Sequence, residues 1–584
     1  MSSLCREIIT LQLGHYSNFV GTHWWNLQDA SLCYDPEMPP GEIQSDVMFR
    51  EGQTLGGNVT YTPRLIAMDL KGSLLTLRQE GSLYDAGKDT SAISWDGSLM
   101  THKESPPEKN SFLEDLDKLD RGDILTEVDF TSSRQYPCEG SLRLDTVNAQ
   151  LAAIQKSYQL EGSVKVWSDF LRIHLHPRTI SVIHQYNHDG EAERLEAFGQ
   201  GESLLQGKVV DELDDKLHFF VEECDYFQGF QILCDVADGF AGLGSKVTEM
   251  LQDSYGGRGI LTYGLEPVAR HDSTPAKDVY RLLNCAMATA HLASNSSFYC
   301  PLTLRGGLGL RASAPVIFPH LTYDPSLWYH SSAVLALALD ALTVPYRRRN
   351  GVPMWQLADS LSTSGRKVVA AYGAVPFPMV HGDSLPDALS ACADSLPWKP
   401  LSTCPEAGEG GCYGQWVTLK GVEEQRLTSH VAPGTEPSSP FHHLCSGEDV
   451  LASYVTSFYP TAPLAVQLLS SPSKVTPPFP RIFSPSLTDG GLVFDQHPPF
   501  RSSAVSSVPV LTSLQSGPAL DPWLSELHRS VSAFDVRRVA PSFLTHGPEM
   551  ADYGEALEQL RLLARRYRDD SGGATRSSSE DDDD

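Results

Sequence analysis

Three things are scarce in this sequence. No apolar run is long enough to span a bilayer. The most hydrophobic stretch, Ala333–Val344, is short and carries Asp340, against the roughly 18–20 apolar residues a spanning helix needs. Paired cysteines are missing too. The 11 Cys are odd in number, scattered and never in a CxxC pair, which fits reduced thiols better than a disulfide framework and leaves no zinc site legible. His174 and His176 in IHLHP fall on one side of a possible strand without further ligands nearby, so no metal site is assigned. Basic charge is the third scarcity. With 45 Lys+Arg against 73 Asp+Glu the formal charge is −28, and a field of that sign repels nucleic acid and anionic lipid. The one dense basic run, Arg347–Arg348–Arg349, follows Pro345 and reads as a solvated loop. The opening MSSLCREIITLQLGH has neither an apolar signal core nor an Arg-rich presequence, which argues against secretory or matrix import. No internal repeat is visible.

At 584 residues, 41% of them hydrophobic, the chain is long enough for two or three domains. Strand-like and helix-like stretches alternate in the first half, the pattern of helices on a parallel sheet. REIITLQLG (6–14) and RLIAMDL (64–70) read as buried strands, and NFVGTHWWNLQDA (18–30) as an amphipathic helix between them. Residues 85–160 are charged and irregular and read as an insertion. KVVDELDDKLHFFVEE (208–223) is a helix, ILCDV (232–236) a strand, GLGSKVTEMLQDSY (242–255) a helix, ILTYGL (260–265) a strand and VYRLLNCAMATAHLA (279–293) a helix. SSAVLALALDALTV (331–344) is apolar nearly all round and is expected as a buried helix between layers. Beyond 345, VVAAYGAVPFPM (368–379) is a core strand. Residues 400–445 and 470–520, rich in Pro, Ser and Gly, read as long loops. A helix returns at 553–567, and SSSEDDDD reads as a disordered acidic tail.

Chemistry centres on VADGFAG (236–242), a glycine-containing turn between an apolar strand and a helix. Such a turn cradles phosphate when helix N–H groups and open backbone face the ligand, and is otherwise an ordinary strand-to-helix turn. Three segments resemble the tubulin/FtsZ superfamily over roughly the first 340 residues: REIITLQLGHYSNFVGTHWW, YTPRLIAMDLKGSL and ECDYFQGFQ. VWSDFLRIHLHPR, the stretch at 186–203 and the acidic insertion resemble, more narrowly, the Misato family of divergent tubulin-like proteins.

The resemblance implies an α/β fold. A tubulin-like parallel-sheet domain would fill 1–345 with its insertion at about 85–160, a second, smaller α/β domain 346–470, a C-terminal region of loops and helices 471–570, and the tail 571–584. Residues 6–30, 61–74 and 223–255 are then expected to converge at the C-terminal ends of one sheet. GTP or GDP with Mg is the implied cofactor, and the implied nucleotide-binding positions are Gly14, His15, Asn18, Asp69, Lys71, Gly72, Gly199, Gly239, Gly242, Gly244 and Asn284. Several depart from tubulin: His15 and Tyr16 stand where tubulins carry Gln and Cys, the signature loop is shortened to VADGFAG, and Trp328 takes a second base-contact position. Asp359 is the nearest match to the acid that one tubulin subunit delivers to the next, and its preceding Asn is absent. Phosphate cradle and inherited turn both stay open. If the loop holds phosphate, Gly242→Val is expected to abolish binding and leave the fold largely intact. The resemblance further implies a cytoplasmic protein, partly at the mitochondrial outer membrane, that controls mitochondrial distribution, morphology and fusion. Its partners would be proteins of the mitochondrial surface and the tubulin or microtubule machinery, without nucleic acid and with peripheral membrane association. A non-polymerising scaffold and an active GTPase are the competing readings.

Overall fold

The computed structural model describes residues 5–32, 41–53, 59–79, 107–121, 158–189, 193–268, 274–306, 314–392, 395–406, 411–429, 439–494, 504–533, 535–545 and 547–568. Most of the insertion read at 85–160, and the whole acidic tail, lie outside these residues. Within the insertion, helix Ser111–Asp120 is capped by the Asn110 side chain and buries Phe112.

The first domain is built on strands β1 (Ile8–Leu13), β4 (Leu65–Lys71), β5 (Ile180–Asn187), β6 (Gly229–Asp235), β7 (Gly259–Glu266) and β8 (Phe298–Thr303). A small hairpin, β2 (Phe49–Gln53) and β3 (Val59–Pro63), precedes β4. The large sheet has the order β5–β4–β1–β6–β7–β8 and is parallel throughout. Every residue of β1, β6 and β8 is buried, as a parallel sheet covered on both faces requires. Chain order runs outward from β1 through β4 to β5 on one side and from β6 through β7 to β8 on the other. The direction reverses between β1 and β6, and a crevice opens at the C-terminal ends of strands on either side of such a switch point. The three segments expected to converge do so there.

Helix α1 (His15–Ser31) follows β1 directly and departs from the amphipathic expectation, since fifteen of its residues are buried. It is sandwiched, lying between the sheet and the helix Trp328–Leu342, which is itself buried nearly all round as its composition implied. A helix packed on two sides has no face for polar residues. Asn26 and Gln28 are accordingly hydrogen-bonded inside.

The second sheet joins β9 (Ala370–Ala374), β10 (Lys399–Pro400), β11 (Gly414–Lys420), β12 (Leu464–Leu469) and β15 (Val510–Ser516) in the order β10–β9–β15–β11–β12. A two-residue pair, β13 (Ser473–Lys474) and β14 (Ser507–Val508), lies outside it. The stretches 400–445 and 470–520, read as loops, therefore contain β11 and β15, which pair with each other antiparallel along their full length. Both strands are fully buried yet carry Gln415, Thr418, Thr512, Ser513 and Gln515, and those polar residues hid the strand pattern among Pro- and Ser-rich neighbours. The C-terminal helix Met550–Arg566 packs on helices Pro275–Asn295 and Asp521–Ser532.

Helix Trp328–Leu342 meets the second domain through a buried charge cluster. The Asp340 carboxylate accepts from Gln28 and Arg347 on Oδ1, both at 2.9 Å, and from Lys420 and Ser473 on Oδ2, both at 2.6 Å. The basic run read as solvated therefore begins with a fully buried residue: Arg347 is 0% exposed and also donates to Thr343 and Gln28. A carboxylate two turns away pulls it inward, a pairing that sequence proximity to Arg348 and Arg349 conceals. Burial raises the Asp340 carboxyl, but Lys420 and Arg347 more than reverse this and hold it below the usual carboxylate range. Removing one member of a buried pair leaves unmatched charge and costs about 3–5 kcal/mol. Asp340→Ala is expected to lose that much stability, measured by urea denaturation of the full chain, whereas substitution of half-buried Arg349, which has no carboxylate partner of this kind among the described residues, changes it less.

Candidate functional site

The crevice at the ends of β1, β4 and β6 is built by three turns. The first begins at Gly14, whose φ of +119° lets the chain turn from β1 into α1. A Cβ there would stand 2.4 Å from Asp235 Oδ2, so glycine is required by contact as well as by backbone angle. The opening N–H groups of a helix have no partner within it and are its anion-binding groups. Here they are taken. Asp235, closing β6, accepts from the Tyr16 amide at 2.9 Å, the Ser17 amide at 2.7 Å and the Ser17 hydroxyl at 2.6 Å.

The second turn follows β4. Asp69 Oδ2 lies 2.8 Å from His15 Nδ1 and accepts from Trp167 Nε1 at 2.8 Å and Asn18 Nδ2 at 3.3 Å, while Oδ1 accepts from the Leu70 amide. Asn18 also donates to the Met68 carbonyl. Burial disfavours the Asp69 anion, and His15, His188 and the Leu70 amide outweigh it, holding the carboxyl below its ordinary value. The His188 ring lies over that of His15 with centroids 3.6 Å apart, and burial followed by the nearby His15 pushes its own pKa down to about 4. Lys71 and Gly72 are exposed at the rim. Gly72 has φ +93° and open space around its Cβ position.

The third turn is the glycine-containing loop itself. Asp238 Oδ1 accepts from the Phe240 amide at 3.0 Å, so the helix Phe240–Ser254 is also capped by the chain's own carboxylate. Its glycines meet protein. A Cβ on Gly242 would stand 1.8 Å from the Phe198 carbonyl oxygen, one on Gly239 2.6 Å from Leu195, and one on Gly244 2.3 Å from Cys234 Sγ. Gly201, from the facing helix Phe198–Leu204, would meet the Gly239 carbonyl at 1.7 Å, and Gly199 is buried in that same helix. These positions are small so that two backbone segments lie directly against each other. Asn284 is fully buried and donates to the Glu196 and Ala237 carbonyls, tying its helix to the same two loops. Trp328 packs against His15, Tyr16 and Phe19, with ring centroids 5.4 to 6.0 Å apart.

Gly14, His15, Asn18, Asp69, Gly239, Gly242 and Asn284 are thus gathered about one crevice, with Gly199 and Gly244 behind it and Lys71 and Gly72 at its edge. Asp359 is not among them. It is exposed on the helix Met354–Leu361, whose first amide bonds Gln228 just ahead of β6, at the opposite end of the sheet. Sequence reasoning missed Asp235, Ser17, Trp167 and His188. For Asp235 a signal existed, an acid ending an otherwise apolar strand beside a glycine turn.

Comparison with known proteins agrees with this architecture. Residues 6–118 match the Misato Segment II tubulin-like domain and residues 158–348 the Tubulin domain. The chain is 64% identical to Protein misato homolog 1 of Danio rerio over 577 residues, covering 97% of this chain and 98% of that protein. The chain belongs to the Misato family. The Homo sapiens Protein misato homolog 1 is 48% identical and the Drosophila melanogaster Protein misato 28%, each over 97% of this chain and 99% of the relative. The fold is accordingly the tubulin-like α/β fold, with a parallel six-stranded sheet, a second mixed sheet and C-terminal helices.

The guanine nucleotide and Mg implied by that fold do not fit the residues of this Misato-family crevice. A phosphate seated on α1 would displace the Asp235 carboxylate from three hydrogen bonds, and one seated on the second helix would meet Asp238. Asp69 already has four donors.

Three outcomes are expected. Asp235→Ala leaves buried donors unmatched at about 1–3 kcal/mol each and lowers the unfolding midpoint in urea. Gly242→Val collides with the Phe198 carbonyl and costs about 3 kcal/mol, visible as a lower thermal midpoint; the fold is not left intact by it. His188 binds its proton less readily when folded than at its ordinary 6.5, so the unfolded chain takes up more protons between about pH 6.5 and 4. Stability then falls as pH drops through that window, and His188→Asn makes the fall shallower.

Proposed function

We propose that this Misato-family protein is a non-polymerising tubulin-like scaffold. In this reading it works in the cytoplasm and at the outer face of mitochondria, regulates mitochondrial distribution, morphology and fusion, and has a link to microtubule or spindle organisation. One observation carries the scaffold reading: Asp235 occupies the amides of Tyr16 and Ser17, the groups a phosphate would need. The chain supplies its own anion at the switch point and holds the crevice closed without a ligand. The mitochondrial part rests on family resemblance. No helix among the described residues is long and apolar enough to cross a membrane. With a charge of −28, peripheral docking through a protein receptor is favoured over adsorption to anionic lipid.

The rival reading, a GTPase that completes its site on assembly, is favoured by Asp359, exposed at the pole opposite the crevice. In a head-to-tail stack that pole of one copy faces the crevice of the next. Calorimetry of the full chain with GTP and Mg²⁺, followed by a phosphate-release assay across protein concentrations, separates the two. The scaffold reading expects no phosphate release at any concentration. Turnover that rises with assembly and is lost in Asp359→Ala overturns it. Recovery with mitochondria in cell fractionation, and release by carbonate washing, is the expected localisation result.

A further inference from the structure

A second cavity, of about 160 Å³, lies away from the crevice, where the C-terminal end of α1, the segment 41–49, Arg347, the end of β11 and the turn at 471–474 meet. Its size allows on the order of ten water positions. Among the described residues the charges on its wall and immediately behind it do not balance: Arg347, Lys420 and Lys474 are three cations, and Asp340 and Glu42 two carboxylates. Both acids are already spoken for. Asp340 is shared by Arg347 and Lys420 and bonded by Gln28 and Ser473. Glu42 accepts from the amides of Ser470 and Ser471 and from the Ser470 hydroxyl. Lys420 is 4% exposed, and Asp340 Oδ2 is its one acceptor among the described residues. An ammonium has three N–H groups, so two are left without an acceptor among the described residues. A desolvated cation in excess, beside space for a small molecule, is an arrangement that an anion completes.

We propose that this cavity is a binding site for a small phosphorylated molecule, whose phosphate group is held by Lys420 from within and Lys474 at the rim. Arg347, anchored to Asp340, Thr343 and Gln28, supplies fixed positive charge behind it. A tetrahedral oxyanion suits a site where lysine donors converge as point charges, and the space beyond one phosphate leaves room for a small organic remainder. Because the walls come from both domains, occupancy couples the first domain to the second sheet. The site is independent of the crevice between β1 and β6, so it stands whether or not that crevice takes nucleotide.

The test uses full-length protein and inorganic phosphate at constant ionic strength, with chloride as control. Affinity is read by isothermal titration and thermal midpoint by fluorimetry. The expected result is a saturable rise in midpoint with phosphate and none with chloride, an at least tenfold weaker phosphate affinity in Lys420→Met, and a smaller loss in Lys474→Ser. Lys420→Met leaves Arg347 and Asp340 as a one-to-one pair, so the variant is expected to fold. Lys474 is exposed, and its replacement gives a second reading free of any folding defect. No saturable response in the wild type, or a response undiminished in both variants, overturns the proposal.

Discussion

The first domain is organised around a carboxylate that does a ligand's work. In a parallel α/β sheet the strands end against helix N-termini, and the N–H groups exposed there at the switch point must bond something. Asp235 bonds them from the adjacent strand. Its position sets the rest of the crevice: Gly14 is glycine because the carboxylate lies where its side chain would be, and α1 starts immediately after β1 because its first turn is already capped. Asp69 and Asp238 repeat the device on the neighbouring turns. Three acids thus make the polar end of this sheet self-sufficient, and the −28 charge of the chain includes charges that hold it together from inside.

The glycines around VADGFAG acquire a different meaning in this setting. Glycine in a turn permits close approach, but the approaching atoms need not belong to a ligand. Here they are the Phe198 carbonyl, the Leu195 side chain and Cys234 Sγ. In this Misato-family chain, with its Tubulin domain match, the space beside these glycines is filled by the protein's own backbone and side chains.

A second polar cluster plays the corresponding role between the two sheets. Asp340 is the one acid of helix Trp328–Leu342, and it draws into the interior both Arg347, from the turn just after the helix, and Lys420, from the distant strand β11. Burying two cations on one acid is costly unless each is well bonded, which makes the junction specific: Lys420 reaches Asp340 only when β11 sits against helix Trp328–Leu342.

Periodicity and residue type by themselves determined the first half of the fold. The apolar strands at 6–14, 64–70 and 232–236 and the buried helix around 331–344 were legible, because strands buried on both faces and helices buried all round leave unbroken apolar runs, while the convergence of three turns at one sheet end followed from the resemblance. Family resemblance was legible from the same segments. What tertiary structure alone decided is where the charges and polar strands go. Arg347 reads as solvent-exposed until Asp340 is seen beside it. β11 and β15 read as loops because their buried Thr, Ser and Gln interrupt the apolar run, and Gln515 meets Gln415 only once the two strands pair. Gly242 reads as a ligand's clearance until Phe198 is found filling it. In each case the deciding partner is put in place by folding, whether seven residues away, as Asp340 is from Arg347, or a hundred, as Gln515 is from Gln415, and local pattern carries no record of the contact.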